Sequence, residues 1–330
     1  QLFVSLCSQL FWNVPWNEGM MRTVKLIVPE GSLVNCRFPA ATSMAVATSG
    51  ILLQGTAHEC IAKMLFAASI PEDVNAGWRG ASGSNPYFGG INQFGARFAG
   101  LLLDSFGGGC GATPLRDGVH SGGNLMAPQA TISDVEITEM NLPFLCLGRR
   151  QATDSGGFGK FGGGMGPEPM YMVHGTNELE LGFWGICKKT HSSFGLFGGY
   201  PPASNEARYF LDTKLPRWFV ESKRPEGFES VEAAGRIIDP PTSFPAIPVK
   251  EYDFFVHRIG AGGGYGDPLD RDPEKVVKDV RDLVISAETA RKVYGTVFDA
   301  RTFKVDTKAT HELREEIKQE RLRKGKKSMP

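Results

Sequence analysis

The 330-residue chain lacks several features that would place it in a common functional class. It has no run of about 18 apolar residues that could cross a membrane, and its 36 basic side chains balance 36 acidic ones, so net charge does not favour nucleic acid or anionic lipid. Its six cysteines form no C-x-x-C pair, and no signal-peptide pattern is present. We therefore expect a cytoplasmic protein that binds neither nucleic acid nor membrane.

The common nucleotide-binding loops are also missing. No Gly-Lys-Ser/Thr occurs, which excludes the usual phosphate loop. The glycine run GAGGGYG at 260–266 is followed by DPLDRDP, whereas a dinucleotide-binding loop leads directly into a helix. We expect Gly262, Gly263 and Gly264, with Asp267 and Arg271 behind them, to form a structural turn at positive φ. The chain alone is expected to bind no ATP and no other cofactor.

Glycine is the residue that the chain has in excess. Its 41 glycines are clustered between short apolar segments, a texture typical of many short strands joined by loops. The sequence predicts an α+β fold with a β-rich body at 1–266 and a helical C-terminal appendage at 267–330. Within the body, the β-branched residues of 22–35 predict a strand and a turn, and 51–68 predict a buried helix.

The appendage carries clear helix signals. Asp272 is followed by Pro273, Ser286 precedes AETARKVY, and Asp306 precedes a long polar segment. Asp and Ser are favoured N-cap residues, because their side chains accept hydrogen bonds from free N–H groups of the first turn. We expect three capped helices, with a hairpin at TVFDARTFKV between the last two.

Two loop residues are the candidate catalytic groups. Asp117 and His120 lie three positions apart in a glycine-rich loop, a spacing that suits general base chemistry or two metal ligands. A third ligand at a recognisable spacing is missing, so no metal site is predicted. Asp and His residues in loops also commonly satisfy backbone groups, and both interpretations stay open.

The segment TDSGGFGKFGGGMG supplies the candidate substrate-binding residues Asp154, Ser155 and Lys160. A nucleophile elbow needs glycine two positions before its serine, and this chain has Thr153 there. The segment is therefore interpreted as a structural turn or as a loop that lines a substrate site.

Four motifs in order carry a family resemblance. NEGMMRTVKLIVPEGSLVNCRFPAATS, GGGCGATPLRDG, DSGGFGKFGGGMG and GGGYGDPLDRDPEKVVKDVRDLVISAETARKVYG together resemble the hydantoinase B/oxoprolinase family. The last motif is the most specific, because the glycine run, Asp267-Pro268, Arg271, Asp272-Pro273 and Tyr294-Gly295 all fit it.

The resemblance implies part of the B-type subunit of a multisubunit ATP-dependent enzyme, either an acetone or acetophenone carboxylase-like ketone carboxylase or a hydantoinase or 5-oxoprolinase-like cyclic-amide hydrolase. It implies a hetero-oligomer in which a hydantoinase A-like partner binds ATP and Mg²⁺. The family's metal-site-like region, rich in glycine, histidine and aspartate, precedes the part seen here. We accordingly expect a truncated or naturally split subunit that is inactive alone; the alternative is a non-catalytic scaffold module.

Overall fold

A computed structural model describes residues 13–15, 17–22, 25–32, 34–42, 51–78, 86–102, 107–123, 133–183, 190–191, 193–242 and 244–328. The helices are α1 Glu18–Met21, α2 Ile51–Ala67, α3 Val135–Asn141, α4 Leu215–Val220, α5 Pro273–Arg281, α6 Ala287–Lys292 and α7 Thr307–Ser328. The strands are β1 Pro86–Ile91, β2 Arg97–Leu101, β3 Phe144–Gln151, β4 Pro167–Val173, β5 Leu179–Phe183, β6 Glu206–Leu211, β7 Arg236–Ile238, β8 Phe244–Val249 and β9 Phe254–Arg258. The predicted α+β fold is confirmed. The boundary at 266/267 stays a prediction.

Two antiparallel sheets face each other across the main core. The four-stranded sheet has the order β2-β1-β5-β8, and the five-stranded sheet has the order β3-β4-β9-β6-β7. Alternate side chains point inward, as the two-residue period of a strand requires, so Tyr171 and Phe255 of one sheet share the core with Phe88 and Phe183 of the other. The outer face of the five-stranded sheet is buried too, under Leu215 and other residues.

The glycine run after β9 is an extended segment packed among loops. We call this region the glycine bundle: residues 259–266 together with loops 109–113, 156–164 and 194–200. Gly262, Gly263 and Gly264 donate their N–H groups to three different segments, at Gly164 O (2.9 Å), Gly77 O (2.7 Å) and Tyr200 O (3.0 Å). Their carbonyls accept from Gly157, Ala112 and Leu196, so the backbone groups of these three glycines are satisfied by backbone alone.

The positive φ predicted for Gly262, Gly263 and Gly264 is wrong. Positive φ occurs at the two ends of the run, at Gly260 (44°) and Gly266 (74°), and not at the three central residues. The central glycines are needed because other backbones approach them closely. A Cβ built on Gly263 would lie 1.8 Å from the carbonyl oxygen of Phe194.

The helices of the appendage begin at the N-cap residues predicted from the sequence. The predicted caps Asp272, Ser286 and Asp306 accept from the backbone N–H groups of Glu274 (3.0 Å), Thr289 (3.1 Å) and Ala309 (2.9 Å). The hairpin predicted between α6 and α7 forms through a bridge between Phe298 and Val305. These features depend on neighbours in sequence, which is why local signals found them.

Two predictions for the first 70 residues need correction. The described residues of 22–35 form no strand, only an isolated bridge between Ser32 and Asn35. The helix predicted at 51–68 is confirmed as α2, but only one face of it is buried: Ala62 and Leu65 belong to a small core, whereas Met64 is mostly exposed.

His257 on β9 lies in the core with no exposed surface. Its ring stacks on Phe255, with the ring centroids 6.0 Å apart, and lies 5.8 Å from the ring of Phe183. Neither ring nitrogen has a hydrogen-bond partner among the described residues. Burial therefore disfavours the charged imidazolium and lowers the pKa of His257 to about 3.

This histidine predicts a loss of stability in mild acid. In the unfolded state the imidazole of His257 is protonated below about pH 6.5, whereas in the folded state it stays neutral down to about pH 3. The free energy of unfolding is therefore highest above pH 6.5 and falls below it. From pH 7.5 to pH 5.5 one such histidine contributes a drop of about 1.4 kcal/mol. Urea unfolding at the two pH values should show that the drop is smaller by this amount in His257→Phe. An unchanged drop in the variant would contradict a neutral buried imidazole.

Candidate functional site

Arg271 is the centre of a buried polar cluster. It lies between a short 3₁₀ turn, Pro268–Asp270, and the N-cap of α5, and only 4% of it is exposed. Its Nη1 donates to Asp117 Oδ1 (2.6 Å) and its Nη2 donates to Asp117 Oδ2 (3.0 Å). This bidentate geometry joins two predicted motifs that are far apart in sequence.

The remaining donors of Arg271 are used as well. Its Nε donates to Asp279 Oδ2 (2.9 Å), its Nη2 lies 2.8 Å from the same oxygen, and its Nη1 donates to the carbonyl of Lys160 (3.0 Å). The guanidinium thus donates four hydrogen bonds and makes one further ion-pair contact to Asp279, which satisfies the many donors of a buried arginine. The carboxylates of Asp117 and Asp279 are thereby held on two adjacent edges of one guanidinium, which share Nη2.

The electrostatics of the cluster favour a charged Arg271. Burial opposes its charge, but the hydrogen bonds to Asp117 and the attraction of both carboxylates outweigh burial and raise the pKa of Arg271. Burial raises the pKa of Asp279, and Arg271 opposes that rise. The guanidinium is thus a permanent positive charge that is shared by two carboxylates.

His120 is a neutral acceptor in this cluster. Its Nδ1 accepts the N–H of Met165 (3.0 Å), so the proton of the neutral ring lies on Nε2. Burial lowers the pKa of His120, and the nearby carboxylate of Asp117 works against that shift. His120 and Asp117 line the same cavity as Arg271, Asp279 and Tyr294.

That cavity is small. Its volume is about 50 Å³, and glycines of the glycine bundle form much of its wall. Pockets that bind small molecules typically measure about 300–1,000 Å³, so this cavity has room for ordered water but is far below the size of an ordinary ligand site. Asp117 and His120 are therefore brought together, as their spacing suggested, but around an ion pair and not around a substrate-sized space.

The candidate substrate-binding residues Asp154, Ser155 and Lys160 do not line the cavity around Arg271. Asp154 has φ of 59° and accepts the N–H of Ser286 (2.9 Å). Buried Ser155 donates to Ala152 O (2.6 Å) and accepts from Gly166 N–H (3.1 Å). Lys160 is exposed, with its ammonium 5.7 Å from the ring centre of Phe161. The geometry of Asp154 and Ser155 is that of a structural turn.

Sequence reasoning missed Asp279. A signal for it exists, because Asp279 lies three residues after buried Val276 on α5 and therefore on the inward face of an amphipathic helix. A carboxylate on such a face predicts a buried cationic partner. The sequence motif includes Arg271, but nothing in the sequence indicates that Asp117 is its partner.

Within the described ranges, no group of three or more His, Cys, Asp and Glu residues is arranged to hold a metal ion. The helices of the same ranges include none long and apolar enough to cross a membrane. The free cysteines found there are Cys36, Cys60, Cys110 and Cys146.

The arrangement can be compared with known proteins. Residues 2–268 match the family model described as hydantoinase B/oxoprolinase. The chain belongs to this family. The resemblance carried by the four sequence motifs is therefore confirmed. Among curated members, the acetone carboxylase alpha subunit of Xanthobacter autotrophicus is 28% identical over 349 residues, which cover 98% of this chain and 43% of that subunit.

Two solved structures extend the hydantoinase B assignment to the fold. A nucleotide-free structure of acetone carboxylase matches 100% of this chain with a TM-score of 0.89 and 26% identity. The crystal structure of ATP-dependent caprolactamase from Pseudomonas jessenii matches 95% of it with a TM-score of 0.73 and 25% identity. The chain spans 44% and 50% of the length of these two structures, or about half.

Proposed function

We propose that the chain forms part of the B-type subunit of an ATP-dependent ketone carboxylase complex. The observation that carries this proposal is the full-length structural match to acetone carboxylase, with a TM-score of 0.89 against 0.73 for caprolactamase. Acetone and acetophenone carboxylase subunits both match more than 95% of the chain. Cyclic-amide hydrolysis is the second candidate, supported by the caprolactamase beta subunit of Pseudomonas jessenii at 30% identity.

The assembly proposed for this activity is a hetero-oligomer in the cytoplasm. A hydantoinase A-like subunit would bind ATP and Mg²⁺, and any divalent metal of the B-type subunit would lie outside the residues described here. This division is supported by the chemistry of the chain, because a triphosphate needs several oriented N–H groups and cations at one place. The N–H groups of Gly262, Gly263 and Gly264 already donate to the carbonyls of Gly164, Gly77 and Tyr200.

For the cluster around Arg271 we propose a structural role, in which one guanidinium holds the Asp117 loop, the Lys160 loop and α5 together. The chain would then serve the complex as a scaffold. A catalytic role for Asp117 and His120 is the alternative, favoured by their place on one cavity wall. Asp117→Asn with His120→Gln in the assembled complex separates the two: lost turnover without loss of assembly supports catalysis.

The nucleotide assignment gives a direct prediction. Titration calorimetry of the isolated chain with Mg-ATP should show no saturable heat at millimolar nucleotide, whereas the complex with its A-type partner should bind. Lys160 is the one cation inside the glycine-rich loop 156–164, and a single lysine supplies a point charge without bidentate geometry. A micromolar dissociation constant for the isolated chain, abolished in Lys160→Ala, would overturn the assignment.

A further inference from the structure

One segment near the amino end exposes large apolar side chains. We call it the arm: residues 25–32 and 34–42. The exposed fractions are 77% for Ile27 and 98% for Phe38, and Leu26 and Val34 are exposed as well. Burying these side chains against a partner would remove their apolar surface from water, which is favourable. Apolar surface concentrated in one short segment marks a binding surface.

The arm has an internal structure of its own. Gly31 N–H donates to Asn35 O (2.7 Å), the side chain of Asn35 donates to Val28 O (3.0 Å), and Arg37 pairs with Glu30 at 3.4 Å. All hydrogen bonds and ion pairs found for the arm within the described chain join two of its own residues. The body therefore does not explain why the arm carries these apolar side chains.

The beginning of the arm has the sequence of a strand without a strand partner. Residues 25–28 read Lys-Leu-Ile-Val, with two β-branched residues, and Pro29 follows them. Apolar side chains occur at successive positions, so both faces of a strand here would be buried. Within the described residues these four form no ladder, although the nine named strands of the body all do. Apart from the carbonyl of Val28, which accepts from the Asn35 side chain, the backbone donors and acceptors of these four residues have no hydrogen bond within the described chain and are available for a sheet edge.

We propose that residues 25–28 add as a strand to the edge of a sheet in the part of the B-type subunit that its relatives contain and that this chain does not match. The relatives are long enough to contain such a sheet outside the matched part, because this chain covers only 43% of the acetone carboxylase alpha subunit and 47% of the acetophenone carboxylase delta subunit. Main-chain pairing provides the binding, and Leu26, Ile27 and Phe38 provide apolar contacts on the two faces. The proposal rests on the proposed function, since it requires a B-type assembly.

Hydrogen exchange on the complex purified from the native source tests the pairing. The amides of 26–28 should exchange at least about 100-fold more slowly in the complex than in the isolated chain, because ladder hydrogen bonds must open before exchange. Fast exchange of these amides inside an intact complex overturns the arm proposal alone. A protein that purifies without any larger partner contradicts the arm proposal and the proposed function together.

Matched substitutions test which partner the arm binds. Ile27→Asp and Ile27→Pro should each weaken assembly at least tenfold, the first through side-chain contact and the second by removing an N–H donor. Val220→Asp is the control, because Val220 is 87% exposed on α4 and is expected to leave assembly unchanged. All three variants should keep the melting temperature of the isolated chain. If the amides of 26–28 are protected from hydrogen exchange in the isolated chain, and more so at higher protein concentration, the arm pairs with a second copy of this chain. That result would overturn the proposal.

Discussion

Gly263→Ala is expected to destabilise the chain by at least about 4 kcal/mol, or to prevent folding, although it adds one methyl group. The new Cβ would lie 1.8 Å from the carbonyl oxygen of Phe194, and that carbonyl is fixed because it accepts the N–H of Gly77 (2.8 Å). Neither backbone can move without breaking hydrogen bonds to a third segment. The cost therefore exceeds the roughly 1–3 kcal/mol of ordinary overpacking.

Gly89→Ala is the matched control for this prediction. Gly89 lies in β1, and a Cβ there meets its nearest neighbours at 3.6 and 3.7 Å, which is ordinary van der Waals contact. We expect its effect to stay within about 1 kcal/mol. Urea unfolding of the two variants against the wild type checks the pair. A Gly263→Ala protein as stable as Gly89→Ala would show that the glycine bundle is not closely packed.

Arg271→Met is expected to cost about 3–5 kcal/mol, because it leaves two carboxylates and a buried carbonyl without their shared donor. Asp279 is the more buried of the two acids, so most of the cost arises there. Arg271→Lys should recover little of the loss, because an ammonium cannot donate to Asp117 in a bidentate manner while also reaching Asp279.

A double substitution tests the cause of that cost. Adding Asp279→Asn to Arg271→Met removes the more buried of the two uncompensated charges and should restore part of the stability, a coupling that chemical unfolding measures directly. The control is Arg217→Met, since Arg217 forms an exposed pair with Glu221 and its loss should change stability by no more than about 0.5 kcal/mol. Equal effects of Arg271→Met and Arg217→Met would contradict a structural role for the cluster.

The parts of the fold that the sequence predicted are those set by near neighbours. Asp272, Ser286 and Asp306 cap their helices because a cap requires only the next three residues. Residues 25–28 show the opposite case. Their composition favours a strand, but a strand forms only where a partner edge is present, and the described chain offers them none.

The candidate site shows the same limit. Asp117 and Arg271 were both singled out from their motifs, yet their pairing depends on how the glycine bundle brings residues 117 and 271 together, which no local pattern encodes. For the same reason the glycines of 262–264, interpreted from the sequence as structural, were assigned a wrong backbone conformation. Positive φ can be expected from a turn sequence, whereas close approach of a distant backbone cannot.

The most direct test of the central claim, that this chain belongs to the B-type subunit of an ATP-dependent ketone carboxylase, is ketone-dependent ATP hydrolysis by the protein purified from its native source under gentle conditions. We predict co-purification with a larger A-type partner and ATP hydrolysis that rises when acetone or acetophenone is supplied with bicarbonate, and no activity from the isolated chain. A lone monomer, or a complex whose ATP hydrolysis responds to cyclic amides and not to ketones, would contradict the account.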